Sequence, residues 1–358
     1  MTPSPASWKG LPAFSGTGIG SVPFLAAPEA CAEILRHECL IPFWPQMVRV
    51  RAEEDMVFQF SPPLPCLKPN WRKKVLAVDP DCRRPEVLLD FYEKFLAGDP
   101  AYFALRPAYA SGFYALLAAA APARPGSWLK GQIVGPITLG LSVHLDDNRF
   151  LIHEPELMDA VVKGLAAQAL DQVHKFREAG RKALIFIDEP SLSGYGSAFT
   201  PLARKEVLDL LGELIGLIRE KAEVLLGLHC CGNTDWALLL SLDLDLINLD
   251  AFDFGEAFLL YPREIKAFLE RDRGLAWGIV PTTAFTGKET PEGLLARLDG
   301  YFQTLVRQGL DRERLLRQAL LTPACGLGTL STATAATLLD LLNRTCRQAP
   351  AYFGEPQR

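Results

Sequence analysis

The sequence predicts an α/β fold, a single TIM-type (β/α)8 barrel, on three observations. Eight short apolar runs recur along the 358 residues, most without polar alternation, as expected of strands covered on both faces. Helical patterns with capping signals lie between them, which implies βαβ units. The ends of the runs carry polar and metal-binding side chains, where a barrel of this kind keeps its working residues.

In chain order the runs are residues 13–22, 40–50, 129–139, 183–188, 224–229, 244–250, 276–281 and 319–324. Pro155 opens a helix that Gly180 ends. Thr200 reads as an N-cap with Pro201 at the first helical position. Thr290 and Pro291 repeat that signal, and Gly309 sits where a C-terminal glycine cap belongs. The connection between the second and third runs is long. It holds a Pro-rich loop (61–69), helical patterns at 85–96 and 101–119, and a Pro/Gly break (121–127). We read 1–358 as one domain, with 51–127 as an insertion over the barrel mouth. Apart from alanine-rich 116–123, no repeat or low-complexity segment is evident.

Composition narrows the function classes. Hydrophobic residues make up 49% and charged residues 22%, which suits a packed core. A net charge of −5 with no basic run offers no footprint for nucleic acid or a membrane surface. The longest apolar stretch, residues 114–122, falls well short of the roughly 20 needed to span a bilayer. The first residues, MTPSPASWKG, do not read as a signal peptide, so a cytoplasmic protein is expected. There thiols stay reduced, and the eight cysteines are expected to pack or to do metal or redox chemistry rather than staple the chain.

The fifth run ends in His229-Cys230-Cys231 and the eighth in Cys325-Gly326. Residues two apart on a strand face the same side, so His229 and Cys231 share the mouth and Cys230 points away. With Cys325 across that mouth, one imidazole and two thiolates make a soft site for Zn2+ with its fourth position free. Three unrelated side chains on strand ends are the plainer alternative. Elsewhere, His37, His144, His153 and His174 lie on helices or loops, and Pro42-Phe43-Trp44-Pro45-Gln46 reads as core more than pocket wall.

The motifs GTGIGSVPF, GPITL, FIDEPSL, HCCGN, LINLD and TPACGLGT follow one another along the chain. In them the sequence resembles the catalytic C-terminal half of cobalamin-independent methionine synthase and the corrinoid-dependent methyltransferases of the uroporphyrinogen decarboxylase superfamily. The resemblance implies zinc ligands His229, Cys231 and Cys325, with Asp250 at the position of the family's usual glutamate, one methylene short for ligation. It implies that Ile19, Gly20 and Ser21 bind an amino-acid acceptor and that Asp188 grips its ammonium. A carboxylate organising a βα turn is the other reading of Asp188. The family's acceptor-binding glutamate has no clear counterpart here; Glu53 or Glu54 substituting for it is one reading, and solvated helix charges is the favoured one.

A zinc-dependent methyltransferase is therefore expected, one that activates homocysteine or a similar thiol as its zinc thiolate. No catalytic residue beyond the metal ligands is assigned. The folate-using synthases carry a second half with no counterpart here, so a methylcorrinoid protein is the expected donor and partner. Two alternatives stay open: a metal-free decarboxylase like uroporphyrinogen decarboxylase, which presents several basic residues to a polycarboxylate, and a non-catalytic zinc-binding or corrinoid-docking barrel.

Overall fold

The computed structural model describes residues 7–120, 127–145, 149–196 and 202–354. The chain opens with a hairpin, β1 (Ser7–Trp8) and β2 (Leu11–Pro12), turned at Lys9 and Gly10 with φ of 50° and 81°. Positive φ at both central residues suits the tight antiparallel turn. Next come α1 (Ala27–Leu35), a second hairpin of β3 (Leu67–Asn70) and β4 (Val75–Val78), then α2 (Arg84–Ala97), α3 (Pro100–Phe103) and α4 (Ser111–Ala120). From β5 (Trp128–Val134) strands and helices alternate: α5 (Pro136–Ser142), α6 (Pro155–Glu178), β6 (Lys182–Asp188), α7 (Arg204–Lys221), β7 (Leu225–Cys230) and α8 (Trp236–Ser241). Then follow β8 (Leu246–Leu249), α9 (Ala251–Phe258), α10 (Pro262–Glu270), β9 (Gly274–Val280), α11 (Pro291–Arg307), α12 (Arg312–Arg317), β10 (Ala319–Pro323) and α13 (Thr332–Phe353).

Strands β5 to β10 form one parallel six-stranded sheet in sequential order, curled as a half-barrel. They correspond to the third to eighth apolar runs. The third run stops sooner than expected, because Pro136 starts α5. The first two runs are corrected: neither forms a regular strand. Gly16 bridges both Leu40 and Leu321, Ser21 bridges Gln46, and Phe43 bridges Lys130. Thr17 N donates to Leu321 O (3.1 Å), Ile41 N to Gly16 O (2.7 Å) and Trp44 N to Lys130 O (2.9 Å). Backbone hydrogen bonds thus lead from β10 through these two segments to β5. Their irregularity has local causes. Pro42 and Pro45 lack ladder donors. Gly18 lies against the Phe43 ring so closely that a Cβ would sit 2.3 Å from it.

Expected helix punctuation is present. Gly180 and Gly309 take φ of 72° and 93° just past α6 and α11, and Thr290 Oγ1 accepts from Gly293 N at 3.2 Å. The helix after β6 opens at Arg204, while Thr200 and Pro201 fall outside the described residues. Two cores result. A large one joins the outer sheet face to the helices. A small one fills the inside of the sheet with Leu184, Phe186, Leu225, Leu246, Ala276 and Leu320, and is plugged by Trp8 and Leu11 of the first hairpin. Lys9 in the turn of that hairpin pairs with buried Asp245, which also takes Arg219 and Arg273.

Within 51–120, α2 and α3 pack on α6, and α4 packs on α1. The break at 121–127 lies outside the described residues except for Ser127. Here the reading of the cysteines is corrected, because Cys66 and Cys82 are joined in a disulfide. The β3–β4 ladder brings them to a Cα–Cα distance of 5.4 Å, within bonding reach, although they are 16 residues apart in sequence. Among the described residues no helix is long and apolar enough to cross a membrane.

Candidate metal centre

In-register pairing places Asp188, His229 and Asn248 side by side at the C-terminal ends of β6, β7 and β8. They share the phase of Phe186 and Leu246, so they line the inside of the curled sheet. Cys231 follows β7 directly, and Cys325 follows β10 by one residue after Ala324. One ligand atom each from His229, Cys231 and Cys325 lies within 4.8 Å of the others. Cys230 is turned the other way: its buried thiol donates to Gly232 O at 3.6 Å.

The imidazole is oriented before any ion arrives. Asn248 Nδ2 donates to Ala276 O and to Thr322 Oγ1, both at 2.8 Å. A carbonyl only accepts, so the amide orientation is settled and Oδ1 faces His229. His229 Nδ1 donates to that oxygen at 2.6 Å, which leaves Nε2 as the ligand atom. Burial disfavours a charge on His229, but Cys325, Asp188 and Asn248 outweigh it and raise its pKa. The Cys231 thiol pulls Cys325 well below the usual thiol range, against the effect of burial. Two soft sulfurs and an oriented imidazole fit zinc, which takes three protein ligands at catalytic sites. Asn248→Leu is expected to weaken zinc binding about 10–100-fold while the fold survives. A chelator competition showing unchanged affinity in folded protein would rule out this role for Asn248.

The structure brings Ile19-Gly20-Ser21 to the same end of the sheet. Ser21 O accepts from Leu327 N at 2.8 Å, and Ser21 Oγ accepts from Gly328 N at 3.3 Å. Gly326 allows this approach, since a Cβ there would fall 2.1 Å from Ser21 Oγ. Arg49 holds the same loop by donating to Gly328 O (3.0 Å) and Thr329 O (2.8 Å).

The two adjacent acids of Asp188-Glu189 divide their work. Glu189 is fully buried and organises the turn into α5, accepting from Ile137 N (2.9 Å), Thr138 N (2.8 Å) and Thr138 Oγ1 (2.6 Å). Asp188 is 5% exposed, and its Oδ1 is buried with no hydrogen-bond partner. Burial raises its pKa, while Lys130 and then His229 work against the rise.

Asp250 stands apart from the ligand cluster: its carboxylate caps α9, accepting from Asp253 N at 2.9 Å. Glu54 corrects the sequence reading. It is fully buried and accepts from Met47 N and Ser111 N, both at 3.3 Å, so it is neither solvated nor free. Phe43 and Trp44 are buried in the large core, as read from sequence. His37 and His174 pair with Glu33 and Glu178, and His144 packs on Phe150.

Two interior residues were missed. Asn248 is the lone polar side chain within the apolar run Leu246–Leu249, and Lys130 the lone charge in β5. A polar residue where a buried strand should be apolar was the available signal.

No protein-family model and no curated protein matches the chain. Among solved structures, it is similar to a B12-independent methionine synthase from Shewanella sp. W3-18-1, determined in complex with selenomethionine. The identity is 14% and the TM-score 0.58, with 95% of this chain and 98% of that chain covered. At that identity the likeness is one of fold.

Proposed function

We propose that the protein is a zinc-dependent methyltransferase whose acceptor is an amino-acid thiol such as homocysteine. The observation that carries this is the convergence of His229, Cys231 and Cys325 within 4.8 Å, with the unpartnered Asp188 Oδ1 on the neighbouring strand. A zinc ion held by those three side chains would lower the pKa of an acceptor thiol and keep its sulfur nucleophilic. The chain's own groups then bind and orient. Asp188 offers a desolvated carboxylate for an ammonium. Ser21 and the loop after Cys325 wall the site on the side of the first segment. Neither needs to touch the methyl group, because holding the thiol in line with its donor is itself a large rate factor.

The other readings fit less well. A decarboxylase for polycarboxylates wants several basic groups at the mouth, whereas the buried cation of β5, Lys130, is bonded to Ile19 O and Gln132. A structural zinc site is closed by four strong ligands, and this cluster has three.

The donor expected from the sequence is a methylated corrinoid protein. A corrinoid-free donor is the second reading, favoured by the likeness to the B12-independent Shewanella enzyme. Homocysteine offered with methylcobalamin and, in parallel, with methyl-tetrahydrofolate decides between them. Methionine formed from methylcobalamin supports the corrinoid reading, and methionine formed with the folate alone replaces it. If the zinc-loaded protein methylates no thiol with either donor, the proposed function is wrong.

A further inference from the structure

Lys130 has no part in the chemistry described so far, yet it sits fully buried inside the sheet. A lysine there is costly unless its ammonium is well paired, and a methionine would fill similar space without that cost. Its neighbours are specific. Nζ donates to the Ile19 carbonyl and to Gln132 Oε1, the latter at 3.1 Å, and lies 4.5 Å from the centre of the Phe186 ring. Gln132 Nε2 donates to Trp44 O at 3.0 Å, which turns its oxygen toward Lys130. Gln46 N in turn donates to Gly20 O at 3.0 Å.

These bonds meet at one place. The segment 19–21 is not a regular strand and is held by isolated bridges, so few ladder bonds keep its shape. Lys130 ties its first carbonyl to β5, and the buried carboxylate of Asp188 lies on β6, the next strand. We propose that Lys130 is a positioning residue for the acceptor: its ammonium fixes the Ile19–Gly20–Ser21 segment from within the sheet. The inference rests on the proposed acceptor site.

Loss of the cation frees the Ile19 carbonyl. Binding of the amino-acid part of the substrate should suffer, while the metal cluster on β7 and the loop after β10 stays intact.

The test is Lys130→Met, assayed as the full zinc-loaded chain with homocysteine and with 2-mercaptoethanol, a thiol that has neither ammonium nor carboxylate. The expected result is a KM for homocysteine raised about tenfold or more, with kcat and zinc content near wild type and the KM for 2-mercaptoethanol unmoved. An unchanged homocysteine KM in folded variant overturns the proposal. Equal rises for both thiols also overturn it, since they mark a general loss of structure. Should Lys130→Met fail to fold, Lys130→Leu, which also has no donor, is read by the same two criteria. Wild type is the control: no transfer to either thiol overturns the function and this inference together, whereas normal wild-type transfer with an unmoved variant KM overturns only the role of Lys130.

Discussion

Cys325→Ala and Cys231→Ala are each expected to take the protein from about one equivalent of zinc to almost none, since a soft site with three protein ligands has none to spare. Each residue contributes one of the clustered ligand atoms, and no fourth protein ligand joins them among the described residues. Thiol methylation should fall with the metal. A free thiol of pKa about 8.5 is only about 3% thiolate at pH 7, so lost activation alone costs about 30-fold. Lost alignment of sulfur and donor adds further orders of magnitude. Metal analysis under reducing conditions checks the first part, and initial rates check the second. Undiminished zinc in both variants would remove the assignment. Cys230→Ala is the internal control: its thiol is bonded to Gly232 O and turned away from the cluster, so zinc should stay.

Asp188→Asn should raise the KM for homocysteine by about tenfold to a hundredfold and leave zinc in place. That range corresponds to about 1.5–3 kcal/mol for one charged hydrogen bond. The alternative role, a carboxylate that shapes the βα turn, is already filled by Glu189 with its three donors. Asp188 instead keeps a buried oxygen without a partner, an acceptor with which a substrate ammonium could bond. The substitution changes a buried side chain, so thermal unfolding must be followed alongside. A KM unchanged in folded variant would mean that Asp188 is structural or that the acceptor has no amine.

Much of the candidate site was legible because it is local. His229 and Cys231 are two apart at the end of an apolar run, and alternation alone puts them on one face and Cys230 on the other. The sheet from β5 to β10 was legible for the same reason, since strands covered on both faces are unbroken apolar runs. The first two runs misled because their apolar residues sit among Gly16, Gly18, Gly20, Pro42 and Pro45, which permit single bridges but not a continuous ladder.

By itself, then, the sequence determined the alternating α/β order from residue 128 onward, the soft donor set, and which cysteine beside His229 faces the mouth. Those properties follow from periodicity and side-chain chemistry within a few residues. Only the tertiary structure decided the rest. It brought Cys325 to His229 and Cys231, made Asn248 the group that orients the imidazole, and gave Asp188 an open oxygen where Glu189 has none. It placed Asp250 as the cap of α9, buried Glu54 against Ser111, and joined Cys66 to Cys82. The reason is common to all of these. Which partner a polar side chain finds depends on which distant backbone the fold carries past it, and no local pattern records that approach.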